Sequence, residues 1–75
     1  MPHVIVKMLE GRSEAMKVEL TEAISQALQS VVGCPEDSIS VAIEDVAPAD
    51  WKRTVYDTDI LGAGANLFKK PGYEP

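Results

Sequence analysis

The 75-residue chain has few of the features that commonly hold a small fold together. It contains one cysteine, Cys34, so no disulfide can form within the chain. The only soft metal-ligand candidates are His3 and Cys34, and their spacing is not that of a zinc site, so we expect no metal. A domain of this length buries only about 60% of its unfolded surface. Because 45% of the residues are nevertheless apolar, we expect copies of the chain to associate.

Basic residues and long apolar runs are also scarce. Seven Lys and Arg against 12 Asp and Glu give a formal net charge of −5, whereas a nucleic-acid-binding module needs a basic stripe. No apolar run approaches the roughly 18 residues of a membrane span. No basic start followed by an apolar stretch marks a signal peptide. A lone thiol without a targeting signal is typical of a cytoplasmic protein, so we expect a cytoplasmic chain that binds neither nucleic acid nor membrane.

Apolar periodicity predicts a strand followed by a long helix. Residues 3–9, HVIVKML, carry apolar side chains on both faces, which is typical of a buried strand. From Glu14 to Val32 the apolar residues recur at helical spacing and form one stripe. Ser13 is the expected N-cap of this helix. Gly33 is the expected left-handed residue at its C-terminal end.

A second strand completes the predicted core. Residues 39–46 alternate between apolar and small or polar side chains, as a strand does. A strand, a helix and a strand form a βαβ unit with parallel strands and a right-handed crossover. The predicted fold class is therefore α/β (α+β), with a core over about residues 3–46 of a single domain, residues 1–75. Residues 47–75 form a C-terminal segment.

The C-terminal segment is harder to interpret. Pro48 is suited to open a short helical turn. Gly62 and Gly64 weaken any helix over residues 51–68 by about 1 kcal/mol each relative to alanine. Two strands and one helix leave one face of the sheet bare. We therefore expect a second copy to pair with the first, which gives a four-stranded sheet per dimer.

Pro2 has two interpretations. Proline is tolerated at the first residue of a strand because it donates no ladder hydrogen bond. If Met1 is removed, however, Pro2 carries a free secondary amine. An N-terminal amine titrates at about 7.7–8.0, and burial or a nearby cation lowers this pKa further. A base with a pKa near 7 is well suited to moving protons to and from carbon at neutral pH.

Other residues also have a structural and a functional interpretation. Arg12 is either a solvated turn residue or a clamp for a carboxylate, because its guanidinium lies beside helix N-terminal amides. Trp51, the only tryptophan, either plugs an apolar edge or walls an apolar pocket. His3 is either a strand neighbour or an acid–base group. We expect Cys34 to be structural, and we expect one of the acids on the second strand to face solvent.

The chain resembles a known family at these residues. Proline after the initiator methionine, "LEGRS", an amphipathic helix and a strand before an aromatic residue are similar to the 4-oxalocrotonate tautomerase family. "SISVAI", "PADW" and "KKPGY" resemble its bacterial phenylpyruvate tautomerase-like members. The resemblance implies βαβ protomers in dimers or hexamers, with no cofactor. It implies that Pro2 is the general base and then acid for a 2-oxo acid. It assigns the substrate carboxylate to Arg12 and the pocket wall to Trp51.

One departure from the family pattern concerns Ser40. The archetype, which acts on a dicarboxylate, has a second arginine in the second strand, and Ser40 aligns with it at the substrate-binding position. Loss of a charged hydrogen bond removes about 1.5–3 kcal/mol, so we expect a phenylpyruvate-like monocarboxylate, with Arg53 as a possible second cation. Two alternatives stay open: hydration or dehalogenation of an unsaturated acid assisted by Glu44 or Asp45, and a non-catalytic oligomeric binding protein. We favour a homodimer over a hexamer because of the long C-terminal tail.

Overall fold

A parallel βαβ unit forms the first two-thirds of the chain. The computed structural model describes residues 1–75. Its regular elements are β1 (His3–Leu9), α1 (Glu14–Ala27), β2 (Ser40–Val46) and the short α2 (Pro48–Trp51). The predicted strand, helix and strand are confirmed. That residues 1–75 make up a single domain stays a prediction.

Local sequence signals set both ends of α1. The Ser13 hydroxyl accepts a hydrogen bond from the Met16 backbone N–H at 3.2 Å, which confirms the predicted N-cap. The predicted helix runs on beyond Ala27, but its last turn, Leu28–Val32, is a wide π-type turn. The Gly33 N–H closes this turn by donating to the Leu28 carbonyl, five residues back, at 3.2 Å. Gly33 has φ 83°, so the predicted left-handed residue is confirmed.

The two strands pair in parallel along their whole length. The register runs from His3 opposite Ser40 to Leu9 opposite Val46. One further hydrogen bond, from the Ser40 N–H to the Pro2 carbonyl at 3.1 Å, extends the ladder to the start of the chain. Parallel pairing follows from the crossover helix, because a tight hairpin cannot join parallel strands.

The helix α1 lies against one face of the sheet. Side chains of α1 border shallow grooves with Met8 of β1 and with Val41 and Ile43 of β2. An ion pair of 2.7 Å joins Lys17 of α1 to Asp45 of β2. The residues that alternate with these point to the other face of the sheet.

The C-terminal segment partly covers that other face, so the expectation of a bare face is wrong in this respect. Helical turns continue from α2 through the wide turns of Lys52–Ile60 and the 3₁₀ turns of Leu61–Asn66. These turns are not regular α-helix. Gly64 has φ 57°, a positive value that interrupts a helix and that glycine adopts readily, which agrees with the expectation that the glycines weaken a helix here. The segment is fastened by an ion pair of 2.6 Å between Lys7 of β1 and Asp59.

The single chain has almost no enclosed core. Val55 is the only one of 75 residues that is buried, with 5% of its surface exposed. Large apolar side chains such as Val31 and Phe68 are open to solvent, at 84% and 97% exposed. A chain that leaves this much apolar surface in water is stabilised by association, since apolar burial drives folding and assembly. No helix combines the length and apolar character needed to cross a membrane.

Candidate active site

Pro2 lies at the beginning of the sheet and is held there by the backbone. Its carbonyl accepts the Ser40 N–H at 3.1 Å, and the residue is half-buried. The Met1 ammonium donates to the Ser38 carbonyl. The nitrogen of residue 2 therefore occupies a defined place at the N-terminal end of β1.

Ser40 lies beside Pro2 and contacts the next side chain along the chain. Its Oγ is 2.6 Å from Nδ1 of His3, directly across the parallel ladder. The imidazole tautomer decides which of the two atoms donates. The structure thus brings together the predicted residues His3 and Ser40 at the Pro2 end. The side chain at position 40 carries no positive charge.

Arg12 lies beyond the opposite end of β1. It follows Gly11, whose φ of 116° needs glycine and lets the chain turn from the strand towards α1. Arg12 is exposed, and its guanidinium forms no ion pair with an acid of its own chain. An unpaired guanidinium just before a helix N-terminus is chemically suited to bind a carboxylate with two parallel hydrogen bonds.

Trp51 lies on the same side of the molecule as Arg12. The half-buried indole lines a groove of about 390 Å³ together with Leu9, the last residue of β1. It also lines a second groove, of about 420 Å³, with Ile5 and Val55. Its Nε1–H donates to the hydroxyl of Tyr73 at 2.7 Å. Trp51 therefore presents an apolar surface near the C-terminal end of β1.

The predicted site residues are split between the two ends of β1. This strand has seven residues, so its ends are about 20 Å apart at a rise of about 3.3 Å per residue. Pro2 and Ser40 lie at the first end and Arg12 lies beyond the second. Trp51 lies beside the second half of the strand, where it lines grooves with Ile5 and Leu9. One copy of the chain therefore does not bring the amine and the cation together around one small molecule.

Several other charged candidates are already paired within the chain. The Asp45 carboxylate binds Lys17 on the α1 side of the sheet. Hydrogen bonding to that carboxylate raises the pKa of Lys17 above its ordinary value. Arg53 is exposed and pairs with Asp50 at 3.2 Å. Glu44 lies opposite Lys7 in the strand register.

Cys34 and Tyr73 each form one side-chain hydrogen bond. The Cys34 thiol, half-buried, donates to the Leu28 carbonyl at 3.4 Å, as expected of a structural residue. Tyr73, which sequence reasoning did not single out, bonds Trp51 across 22 residues of chain. The only feature of the sequence that draws attention to Tyr73 is its position as an aromatic residue directly after Pro-Gly in the tail. No group of three or more His, Cys, Asp or Glu side chains is arranged to hold a metal ion.

Comparison with known proteins gives consistent matches. The family model described as "Tautomerase enzyme" matches residues 2–55. A "Probable tautomerase" of Xylella fastidiosa is 47% identical over 73 residues, which are 97% of this chain and 89% of the relative. "Tautomerase PptA" of Cronobacter sakazakii is 40% identical over 79 residues and is covered, like this chain, to 99%.

The similarity extends to solved structures. A heterohexamer 4-oxalocrotonate tautomerase from Chloroflexus aurantiacus superposes with a TM-score of 0.66 at 33% identity, covering 72% of this chain and 87% of that one. The fold is that of the 4-oxalocrotonate tautomerases, small α+β proteins built on a parallel βαβ unit. The chain belongs to the tautomerase family, and its activity is that of a tautomerase, an isomerase.

Proposed function

We propose that this protein interconverts the enol and keto forms of a 2-oxo acid without a cofactor, with Pro2 as general base and then acid. The observation that carries the proposal is the arrangement around β1. A proline whose nitrogen becomes a free amine on loss of Met1 begins the strand. An unpaired arginine lies beyond its end, and an apolar indole lies beside its second half. Amine, cation and apolar wall are the groups that this isomerisation requires.

The proton transfers balance with one amine. The Pro2 nitrogen accepts the proton of the enol hydroxyl, and the C–O bond becomes a carbonyl. The electrons of the carbon–carbon double bond then take the same proton at carbon 3, which restores the free amine. A free N-terminal amine titrates at about 7.7–8.0, so both protonation states are populated at neutral pH, as acid–base catalysis needs.

We place each working site between two copies of the chain. Because Arg12 lies beyond the end of β1 opposite Pro2, about 20 Å away along the strand, it serves the Pro2 of a neighbouring copy, together with the Trp51 of its own copy. The exposed apolar surface favours such association. A homodimer with a four-stranded sheet is the simplest assembly that provides it, and a hexamer built from such dimers provides it as well.

The substrate class follows from the charges available. Arg12 clamps one carboxylate, and Ser40 supplies no second cation next to Pro2. A second carboxylate of the substrate would lack a charge-assisted hydrogen bond of about 1.5–3 kcal/mol. The proposal therefore favours a phenylpyruvate-like monocarboxylate, whose ring packs on Trp51. A cytoplasmic location, expected from the lone thiol, is part of the proposal.

The test measures ketonisation of phenylenolpyruvate by the wild-type protein and by variants. A lysine inserted between Met1 and Pro2 keeps the methionine and turns the proline nitrogen into an amide. This variant should lose about 10²–10⁴-fold in kcat, the usual share of general acid–base catalysis. Pro2→Ala, which leaves a primary amine, should lose less. Intact mass confirms the N-terminus of each protein.

Arg12→Ala tests the carboxylate clamp in the same assay. We expect kcat/KM to fall about tenfold to a hundredfold, the range for losing a charged hydrogen bond. Arg53→Ala is the matched control, since it removes an exposed guanidinium that pairs only with Asp50. Full activity in the lysine-insertion variant would sink the proposal. An equal fall of kcat/KM in Arg53→Ala would contradict the assignment of Arg12 as the specific carboxylate clamp.

A further inference from the structure

The C-terminal tail, residues 67–75, returns to the candidate site. Its Tyr73 hydroxyl accepts the indole N–H of Trp51 at 2.7 Å. The Tyr73 ring also packs on Tyr56, with ring centroids 5.9 Å apart and planes tilted by 47°. Tilted aromatic pairs at this distance are favourable. The tail is therefore fixed by two contacts, and one of them is with the proposed pocket wall.

These contacts make Tyr73 part of a groove. The groove has a volume of about 390 Å³ and is lined by Leu9, Pro48, Trp51, Lys52, Tyr73 and Pro75. It begins at the last residue of β1, three residues before Arg12. The groove is therefore the apolar surface that begins nearest to Arg12 along the chain.

The groove offers little to a second negative charge. The one cation in its wall, Lys52, donates to both carboxylate oxygens of Asp57, at 3.3 and 3.0 Å. The Tyr73 hydroxyl accepts from Trp51, and its own proton meets no acceptor of the chain. The side chains of the remaining lining residues, Leu9, Pro48 and Pro75, are apolar. An uncharged ring, with or without a polar substituent, suits such a groove better than a carboxylate, which is costly to desolvate unpaired.

We propose that Tyr73 is a specificity-determining residue of the tautomerase site. It fixes the plane of the Trp51 indole through the hydrogen bond and forms the facing wall of the groove. The groove then receives the aryl group of an enol monocarboxylate, and the hydroxyl proton of Tyr73 is available to a polar ring substituent. This assignment rests on the proposed function, which it extends from the reacting atoms to the far end of the substrate.

Two substrates that share the enol monocarboxylate group, only one of which has an aryl ring, distinguish binding of the ring from the proton transfer. One is phenylenolpyruvate, and the other is 2-hydroxy-2,4-pentadienoate, which lacks an aryl group. In Tyr73→Ala we expect KM for phenylenolpyruvate to rise about tenfold, in line with the loss of an aromatic contact and a hydrogen bond. We expect kcat for both substrates, and KM for the pentadienoate, to stay within about twofold of wild type, because Pro2 and Arg12 are intact.

Conservative variants and the single tryptophan show whether the tail acts through Trp51. Tyr73→Phe keeps the ring and loses only the hydrogen bond, so its KM should rise by about threefold. Tyr56→Phe is the matched control, because it removes a tyrosine hydroxyl that does not contact Trp51. Trp51 is the only tryptophan, so its emission should shift to the red in Tyr73→Ala and stay unchanged in Tyr56→Phe.

The possible results separate this assignment from the proposed function. A wild-type protein that converts neither enol overturns both. A wild-type protein that converts both, with the same KM ratio in Tyr73→Ala, overturns the assignment of Tyr73 alone. A selective rise in KM for the aryl substrate, together with the shift in Trp51 emission, establishes it.

Discussion

The two ends of β1 are built in different ways. At the first end, Pro2 is held by the backbone ladder, through the bond from the Ser40 N–H. At the second end, Trp51 is held by side chains from distant parts of the chain, above all by the hydroxyl of Tyr73. Strand pairing determines the position of Pro2 at the first end, whereas the position of Trp51 at the second end depends on how the C-terminal segment and the tail pack.

This contrast has a functional consequence. The half that carries the proposed proton-transfer group is held by the regular hydrogen bonds of the parallel strands, and such bonds help to orient a base towards the reacting atoms. The half that recognises the rest of the substrate is built from replaceable side chains on a segment of helical turns and a tail.

The largest effect is expected from mixing two variants. The experiment tests whether Pro2 of one chain and Arg12 of another chain form one site. The lysine-insertion variant and Arg12→Ala each impair every site when pure. Refolded together, they place an intact Pro2 opposite an intact Arg12 in some sites. Random pairing should give about a quarter of the wild-type sites in a symmetric assembly. Ketonisation of phenylenolpyruvate by the mixture, compared with the sum of the separate proteins, measures this gain.

The control for mixing is each variant, the lysine-insertion variant and Arg12→Ala, refolded alone at the same total concentration. If the mixture shows only the average of the two variants, both ends belong to a site within a single chain. The 20 Å estimate of their separation would then be overcome by a rearrangement of the chain. A gain that appears on mixing without refolding would show instead that the copies exchange.

The first end was largely predictable from sequence, because its signals are local. The spacing of apolar residues, the Ser13 cap and Gly33 set the βαβ unit. Once the strands are parallel, the register places Ser40 next to Pro2. At the second end, Arg12 alone is also placed by a local signal, the turn that Gly11 makes after β1. Each of these positions depends on a few neighbouring residues and on regular hydrogen bonding.

The rest of the second end, from Trp51 to Tyr73, could not be predicted in the same way. The wide turns of Lys52–Ile60 leave no clear helical period, since such turns do not have 3.6 residues each. Lys7 and Asp59 are 52 residues apart, and the bond between Trp51 and Tyr73 joins residues 22 apart. No sequence spacing indicates these contacts, because they arise only when the segment packs against the sheet.

A smaller effect is expected from adding a cation at the first end. Ser40→Arg places a guanidinium beside Pro2 at an exposed position. It should raise kcat/KM for the dicarboxylate 2-hydroxymuconate about tenfold, by supplying a charged hydrogen bond. Phenylenolpyruvate should change by less than about threefold. Ser40→Ala, which loses the contact with His3 without adding charge, should show no gain for either substrate.

An equal rise for both substrates in Ser40→Arg would point to a general effect on the Pro2 pKa, since a nearby cation lowers it. The pH–rate profile separates the two cases. Selective binding leaves the acidic limb of the profile in place, whereas a lowered pKa of the amine moves that limb to lower pH.

The smallest effects concern two lysines that fasten different parts of the fold. Lys7 binds Asp59 of the C-terminal segment, and Lys17 joins α1 to β2 through Asp45. Hydrogen bonding to Asp59 raises the pKa of Lys7 above its ordinary value of 10.5, and that to Asp45 does the same for Lys17. A raised lysine pKa stabilises the fold at pH values below 10.5. This contribution is lost as the pH rises through the folded-state pKa.

The effects of the two lysines are distinguished by two measurements, the emission of Trp51 and the melting temperature. Both are recorded from pH 9 upwards at about 0.5-unit steps. Deprotonation of Lys7 releases Asp59 and loosens the segment that carries Trp51. Lys7→Met should therefore alter the emission at neutral pH and remove part of its alkaline change. Lys17→Met should lower the melting temperature slightly and leave the emission as in wild type. If both variants moved the emission equally, the second end would not be anchored separately from the βαβ unit, and the contrast between the two ends would fail.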